Sequence, residues 1–585
     1  MKSMKNTTMT HGRIENEHMF IIFIQSVLLV SVTLLTTKNL TEIRVQGPLP
    51  ILIDVFLLPF ALVISSLMIT LFIRTSNTIK MIMLLTVYGF KLVMPYVVFN
   101  GHVNSDTPFH YLSGLYLRDV GYSNKFMYHN WPHALTLASI YNTITGFMYP
   151  FDVSLIAIAA RMSVPLIMYV LGKNVFKLSN KSLYIMLMTL IVFEPFILHF
   201  CPQIIAVSLT LYCFTALLRV NNTVRLSHLM AFIAFFGALL FTHGMYSISM
   251  SIYIAILWLL VILKGLYIGQ ASVPNYSKRI TWLLLTVLTL VLFYNIFITI
   301  FVTKNVFETV RLLVTGGTVR LDVYSTLIDE PYLQYQYAVI RLINLVATLI
   351  LLGIPAIYAS ARFVYHFFKK EKYDAKEHLF TQLFTYLTLH FLFYAVLEIG
   401  LRTGLVERYY QVAVITGTLL SGIFYDNVIL SSNKFNLRVL SKILSYGLLV
   451  ILAVSLITAP SYTTLFRWSY TFNELKMTRY VSDHVPGYSV TLTGDARLIH
   501  QLALEGYLRE TRYVSISYSN LLDINSVHRT YSYPGDILVL VNELTVFKAS
   551  DIPGLSLSLL REHINGISNY LGRIYDDLHN RAYVG

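Results

Sequence analysis

The sequence predicts an α-helical polytopic membrane protein of about thirteen transmembrane helices, followed by a small α/β domain on the extracytoplasmic side. Three observations predict it. Of 585 residues, 56% are hydrophobic and only 13% charged, with a mean hydropathy of +0.62; soluble domains run near a quarter charged. The apolar residues gather into separate stretches of bilayer-spanning length. Lys and Arg mark one set of alternate loops, as the positive-inside rule requires.

Spans are expected near 18–37, 48–73, 79–99, 152–171, 182–199, 203–219, 228–242, 245–264, 280–303, 335–361, 378–400, 409–428 and 441–459, with 228–264 open to reading as one broken helix. The inner loops then carry Arg74 and Lys80; Lys173, Lys177 and Lys181; Arg219 and Arg225; Lys264, Lys278 and Arg279; Arg362, Lys369, Lys370, Lys372 and Lys376; and Lys434, Arg438 and Lys442. This register puts the N-terminus in the cytoplasm and, with an odd number of spans, residues 460–585 outside, in a multi-pass protein of the cell (plasma) membrane. The first apolar run lacks a small-residue cleavage site and reads as a retained span.

Two outer loops are long. In 100–150, His110 to Val120 and His133 to Thr145 each read as a short amphipathic helix lying along the interface. The loop 304–334 is charged, contains Gly316-Gly317, and reads as a lid or a cap. In the tail, 488–492 and 511–517 alternate like strands, 536–541 is a compact apolar strand, and 494–506 is helical in pattern. The expected organisation is thus a transmembrane domain over 1–459 and a soluble domain over 460–585.

Composition and motifs exclude several classes. The net charge of +14 lies mostly in short loops beside spans, where anionic headgroups account for it, so no nucleic-acid partner is expected. Cys201 and Cys213 sit in apolar surroundings that would not activate a thiolate. No Gly-rich phosphate loop, dinucleotide fingerprint, HExxH or GxSxG occurs.

The polar residues that could carry chemistry fall on the outer side. Asp106, in Asn104-Ser105-Asp106-Thr107-Pro108-Phe109-His110, reads either as a general base at a cavity mouth or as a helix N-cap. His110 stands four residues on, so a helix opened by Pro108 would bring both to one face; they are the candidate ligands if a divalent metal is used, and no cofactor is otherwise indicated. His129 and His133 are also spaced i and i+4, but Pro132 between them spoils a shared helical face. Glu194, His199 and His243 fall at the outer ends of spans, as cavity residues or as interhelical hydrogen-bonding groups. Arg402, Glu407 and Arg408 cluster where two spans meet outside; a guanidinium fork suits a phosphate, and a snorkelling arginine is the plainer account.

The fragments Ser105-Asp106-Thr107-Pro108-Phe109-His110, Asn130-Trp131-Pro132-His133 leading to Thr145-Gly146, Gln203-Ile204-Ile205-Ala206, Thr242-His243-Gly244 and Glu407-Arg408-Tyr409-Tyr410, in this order and on one side of the membrane, resemble the GT-C glycosyltransferases, in particular archaeal and bacterial membrane proteins of that superfamily. The resemblance covers roughly residues 80 to 430. It implies transfer of a sugar, usually with inversion, from a polyprenyl-phosphate donor to a lipid, glycan or protein acceptor at the outer face, as in cell-surface glycosylation. By that resemblance Asp106 would be the base, Arg408 with Arg402 would neutralise the departing phosphate, and His110 and His133 would orient sugar or acceptor, with His129, His243 and Glu407 as further binding residues. The chain departs from the commoner pattern in having Ser105-Asp106 in place of an acid pair and two extra spans before the loop. A transporter or flippase of lipid-linked glycans, and a noncatalytic scaffold of the same build, are the competing readings; neither broken helices with midplane polar residues nor internal repeats are evident.

Overall fold

The computed structural model describes residues 77–98, 101–102, 106–122, 127–146, 149–193, 200–222, 226–268, 274–294, 349–369, 375–394, 406–430, 472–484, 490–493, 497–508, 518–520, 537–541, 572–576 and 581–584, with isolated residues between them. Helices dominate. In chain order they are α1 (Asn77–Val98), α2 (Asp106–Asp119), α3 (His133–Thr145), α4 (Phe151–Val170), α5 (Asn180–Phe193), α6 (Pro202–Asn222), α7 (Leu226–Thr242), α8 (Gly244–Ile268), α9 (Pro274–Phe293), α10 (Ile354–Phe368), α11 (Ala375–Tyr394) and α12 (Val406–Phe424).

Among the described residues five helical stretches are long and apolar enough to cross a membrane: Phe151–Val175, Pro202–Arg219, Gly244–Tyr267, Leu349–Phe368 and Gln411–Leu430. Shorter apolar helices, such as Asn180–Phe193 and Leu226–Thr242, fall on four further expected spans. The expected spans 18–37, 48–73 and 441–459 lie wholly or largely outside the described residues. The stretch 228–264, open in sequence, is two helices that part at His243.

The bundle closes around an aromatic centre. Phe214 of α6 stacks on Tyr386 of α11 at 4.4 Å, and Tyr253 of α8 meets the same ring edge-on at 4.9 Å. Such pairs add about 0.5–1.5 kcal/mol beyond their buried area, and they join three helices at one point. Arg161 of α4 is fully buried and donates from Nη2 to Gln411 Oε1 of α12 at 3.2 Å. At the other end of α12, Asp426 Oδ1 accepts from the Ser179 backbone N–H and from the Ser182 hydroxyl at the start of α5. That carboxylate answers backbone and hydroxyl donors at a helix start, where an acid is favoured.

The short helices of the 100–150 loop form as their sequences suggest. Helix α2 begins at Asp106, four residues before the expected start, because Pro108 falls in the first turn, whose amide needs no intrahelical partner. Helix α3 starts after Pro132 and stops at Gly146, whose φ of 69° is left-handed and whose N–H donates to Asn142 O at 2.9 Å. The two helices pack on each other, and α3 also touches α4, α6 and α7.

Residues 472–584 contain two helices, α13 (Phe472–His484) and α14 (Arg497–Leu508), and five strands: β1 (Val490–Thr493), β2 (Tyr518–Asn520), β3 (Ile537–Val541), β4 (Gly572–Asp576) and β5 (Arg581–Val584). The sheet order is β2-β1-β3-β5-β4. Strand β1 runs parallel to β2 and β3, whereas β5 is antiparallel to both β3 and β4. Met477, Val481, Leu498, Leu502, Leu538, Leu540 and Ala582 make one core between helices and sheet. Expected strands 488–492 and 536–541 and helix 494–506 fall on β1, β3 and α14, and 511–517 lies outside the described residues. Helix α13 and strands β4 and β5 were not expected.

Candidate functional site

The 100–150 loop and the α7–α8 junction meet at one place. Trp131, just before α3, lies flat against His243, with ring centroids 6.5 Å apart and planes 20° from parallel. Gly244 makes this approach possible: a Cβ there would come within 3.0 Å of the Trp131 ring. Tyr246 also meets His243 edge-on at 5.1 Å. From α9, the Tyr294 hydroxyl donates to the Asn130 carbonyl at 2.5 Å. Two segments distant in sequence, the α7–α8 junction and Tyr294, therefore converge on the 129–133 turn.

Hydrogen bonds set the state of two histidines. The Thr242 hydroxyl donates its one proton to Ala238 O at 2.6 Å, so in its 2.6 Å contact with His133 Nδ1 it can only accept. This arrangement favours the neutral His133 tautomer with its proton on Nδ1, in which Nε2 is the acceptor. Burial lowers the His133 pKa below its usual value, which favours that neutral ring. His129 donates from Nε2 to Ser113 O of α2 at 2.9 Å, tying the turn to that helix. Its pKa is lowered by burial, with the bond to Ser113 opposing the shift.

The expected site residues divide into three groups. His133 and His243 flank Thr242 at the junction, and His129 links the same turn to α2. His110 is buried on α2, one turn after Asp106, with Phe109 edge-on to it at 5.9 Å. Asp106 is the first residue of α2, and Glu407 and Arg408 belong to the first turn of α12; their side chains lie outside the described residues, as do Arg402, Glu194 and His199 entirely. Among the described residues no group of three or more His, Cys, Asp or Glu side chains could hold a metal ion.

Several polar residues that the sequence reading passed over gather in the same outer loop and at the start of α4. Asp152, at the start of α4, is fully buried; its Oδ1 accepts from the Val153 N–H at 2.7 Å. Near it, Tyr111 and Tyr149 pack with centroids 5.1 Å apart, and His102 meets Tyr149 edge-on at 5.2 Å. Burial, and secondarily the charge of Arg479, pushes the His102 pKa down to about 4. The one sequence signal for Asp152 was an acid at the first position of a span after a proline, easily read as an ordinary helix-start acid.

Helix α14 docks on α2. The Tyr507 hydroxyl donates to Asp119 Oδ2 at 2.8 Å, and Arg118 grips the same carboxylate at 2.6 and 3.0 Å. The Arg118 bonds, with the Tyr507 bond second among the favourable causes, hold the Asp119 carboxyl below the usual carboxylate range.

No family model and no curated protein matches the chain. Solved structures of ArnT are similar to it. The crystal structure of ArnT from Cupriavidus metallidurans bound to undecaprenyl phosphate aligns over 87% of this chain and 98% of that one, at 10% identity and a TM-score of 0.49. The apo state of the same protein aligns over the same shares, at 10% identity and a TM-score of 0.47.

Proposed function

We propose that this chain is an integral membrane glycosyltransferase of GT-C type. It transfers a sugar from a polyprenyl-phosphate donor to an acceptor at the outer face, with inversion at the anomeric carbon. The observation that carries the reading is the junction at Thr242. There a loop histidine favours one tautomer, with Nε2 as an acceptor for a hydroxyl, beside an indole–imidazole stack of the kind that lines sugar sites.

In this reading the acceptor oxygen attacks the anomeric carbon as the carbon–oxygen bond to phosphate breaks. Asp106 takes the acceptor proton. Its place at the first residue of α2 suits an ionised carboxylate, the state a base needs. Arg408, in the first turn of α12, together with Arg402, neutralises the charge that grows on the departing phosphate. His133 accepts a hydroxyl hydrogen bond at Nε2 and orients sugar or acceptor; His110, His129, His243 and Glu407 complete the binding surface. A divalent ion on Asp106 and His110 would further offset phosphate charge.

The test is a direct donor assay. Purified protein in lipid is given a panel of radiolabelled polyprenyl-phosphate sugars, with and without EDTA, and followed for binding and sugar release. Saturable binding and release are expected, with release lost in Asp106→Asn and donor binding weakened in Arg408→Ala. A folded sample that engages no donor, or an Asp106→Asn variant with full activity, would defeat the proposal or its assigned base, respectively.

A further inference from the structure

At the end of the bundle away from His133 and Thr242, helices α4, α6 and α7 leave a cavity of about 310 Å³ between them. Its walls are apolar, and two small residues, Ala216 of α6 and Ala231 of α7, leave the room that larger side chains would fill. Tyr212 and Phe235, stacked at 5.0 Å, line it as well. Leu166 on α4 is half exposed, so the groove opens sideways toward the lipid. Arg219 in the last turn of α6 and His228 in the first turn of α7 also line it, both at the ends of their helices.

The charge around this end is mainly positive, with Asp426 as a carboxylate held by Ser179 and Ser182. Lys173, Lys177, Lys181 and Arg219 fall here, and neither 153–193 nor 200–235 contains an Asp or Glu. A guanidinium offers phosphate oxygens a planar fork of donors. The groove is also remote from the site described above, since α7 rises about 21 Å from His228 to Thr242 at 1.5 Å per residue. A lipid held here cannot react there.

We propose that this groove binds an anionic phospholipid of the leaflet that meets these helix ends. Its phosphate lies on Arg219 and His228, and one acyl chain runs between α4, α6 and α7. The chain itself confers little selectivity, because bilayer and groove are equally apolar. Selectivity resides in the head group, where each nearby basic residue favours an anionic lipid by roughly fivefold.

The experiment is native mass spectrometry of the full-length protein titrated with an equimolar mixture of dioleoyl phosphatidylglycerol and dioleoyl phosphatidylcholine. The wild type should retain phosphatidylglycerol roughly fivefold or more over phosphatidylcholine. R219Q should lower that preference about fivefold, R219K should keep most of it, and A231F should lower retention of both by filling the groove. Equal retention of the two lipids by the wild type would overturn the proposal, as would an undiminished preference in R219Q or unchanged occupancy in A231F. So would displacement of the lipid by inorganic phosphate, or retention of undecaprenyl monophosphate alone. Thermal midpoints measured on the same samples separate loss of the lipid from loss of the fold, and a misfolded R219Q leaves R219K and A231F to decide.

Discussion

Replacing Thr242 by Val removes one hydroxyl at nearly constant shape and attacks the joint between the outer loop and the α7–α8 turn. Thr242 Oγ1 both donates to Ala238 and accepts from His133 Nδ1, each at 2.6 Å. In the variant the Nδ1–H of a half-buried ring faces a methyl group. Leaving a buried donor unmatched costs about 1–3 kcal/mol, a factor of about 5 to 150 in the balance between tautomers. The ring should therefore shift toward the form protonated on Nε2, which turns its outward nitrogen from acceptor to donor. Nitrogen-15 chemical shifts of histidine-labelled protein read this directly. The wild type should show a protonated Nδ1 and a bare Nε2 for His133, Thr242→Val should exchange them in part or in full, and Thr242→Ser should restore the wild-type pattern. A wild-type His133 with a bare Nδ1, or a Val variant with an unchanged spectrum, would refute the tautomer argument and remove the main support for His133 as a hydroxyl acceptor.

Three further outcomes are expected. Gly244→Ala should lower the thermal midpoint, since its Cβ would press within 3.0 Å of the rigid, buried Trp131 ring; overpacking of this kind costs about 1–3 kcal/mol, and an unchanged midpoint would show that the ring yields. His102 has a folded-state pKa of about 4, below its unfolded value, so the unfolded chain binds more protons between the two; stability should be full above about pH 6.5, fall as the pH drops toward 4, and lose that slope in His102→Gln. If His102→Gln keeps the whole slope, another group titrates. Tyr507→Phe should speed hydrogen exchange in 497–508 at pH 7 by loosening α14 from α2, and the wild type should approach the variant only at a pH below the ordinary carboxylate range, where Asp119, held low by Arg118, gains its proton. Equal exchange at pH 7 would show that the hydroxyl bond adds nothing to docking.

The parts of this structure that were legible in sequence are those governed by local rules. Proline, glycine and apolar period announced α2 and α3 to within a few residues, and the apolar strand 536–541 is β3. His133 and Thr242-His243-Gly244 were each singled out, but nothing local says that residues 109 positions apart share a hydrogen bond. The same holds for Arg161 and Gln411, 250 positions apart, which read as a stray charge and an ordinary amide until α4 and α12 are packed together. Asp152 was missed because an acid at a helix start is so common that its burial cannot be guessed. Strands β4 and β5 are short, carry Gly, Arg and Asp, and show no clean alternation; β5 owes its place to pairing on both sides rather than to its own composition.

The position of β5 also has a consequence in time. A chain is made from its N-terminus, so β3 emerges and can pair with β1 well before residues 581–584 exist. Until then one edge of Ile537–Val541, five consecutive aliphatic residues, stands open to any strand that passes, including the β3 of a neighbouring nascent chain. The strand that shields it is the last of the sheet to be synthesised and must slip between β3 and β4 rather than add to a margin. Yield of this protein during expression should therefore respond to the tempo of synthesis between residues 541 and 584.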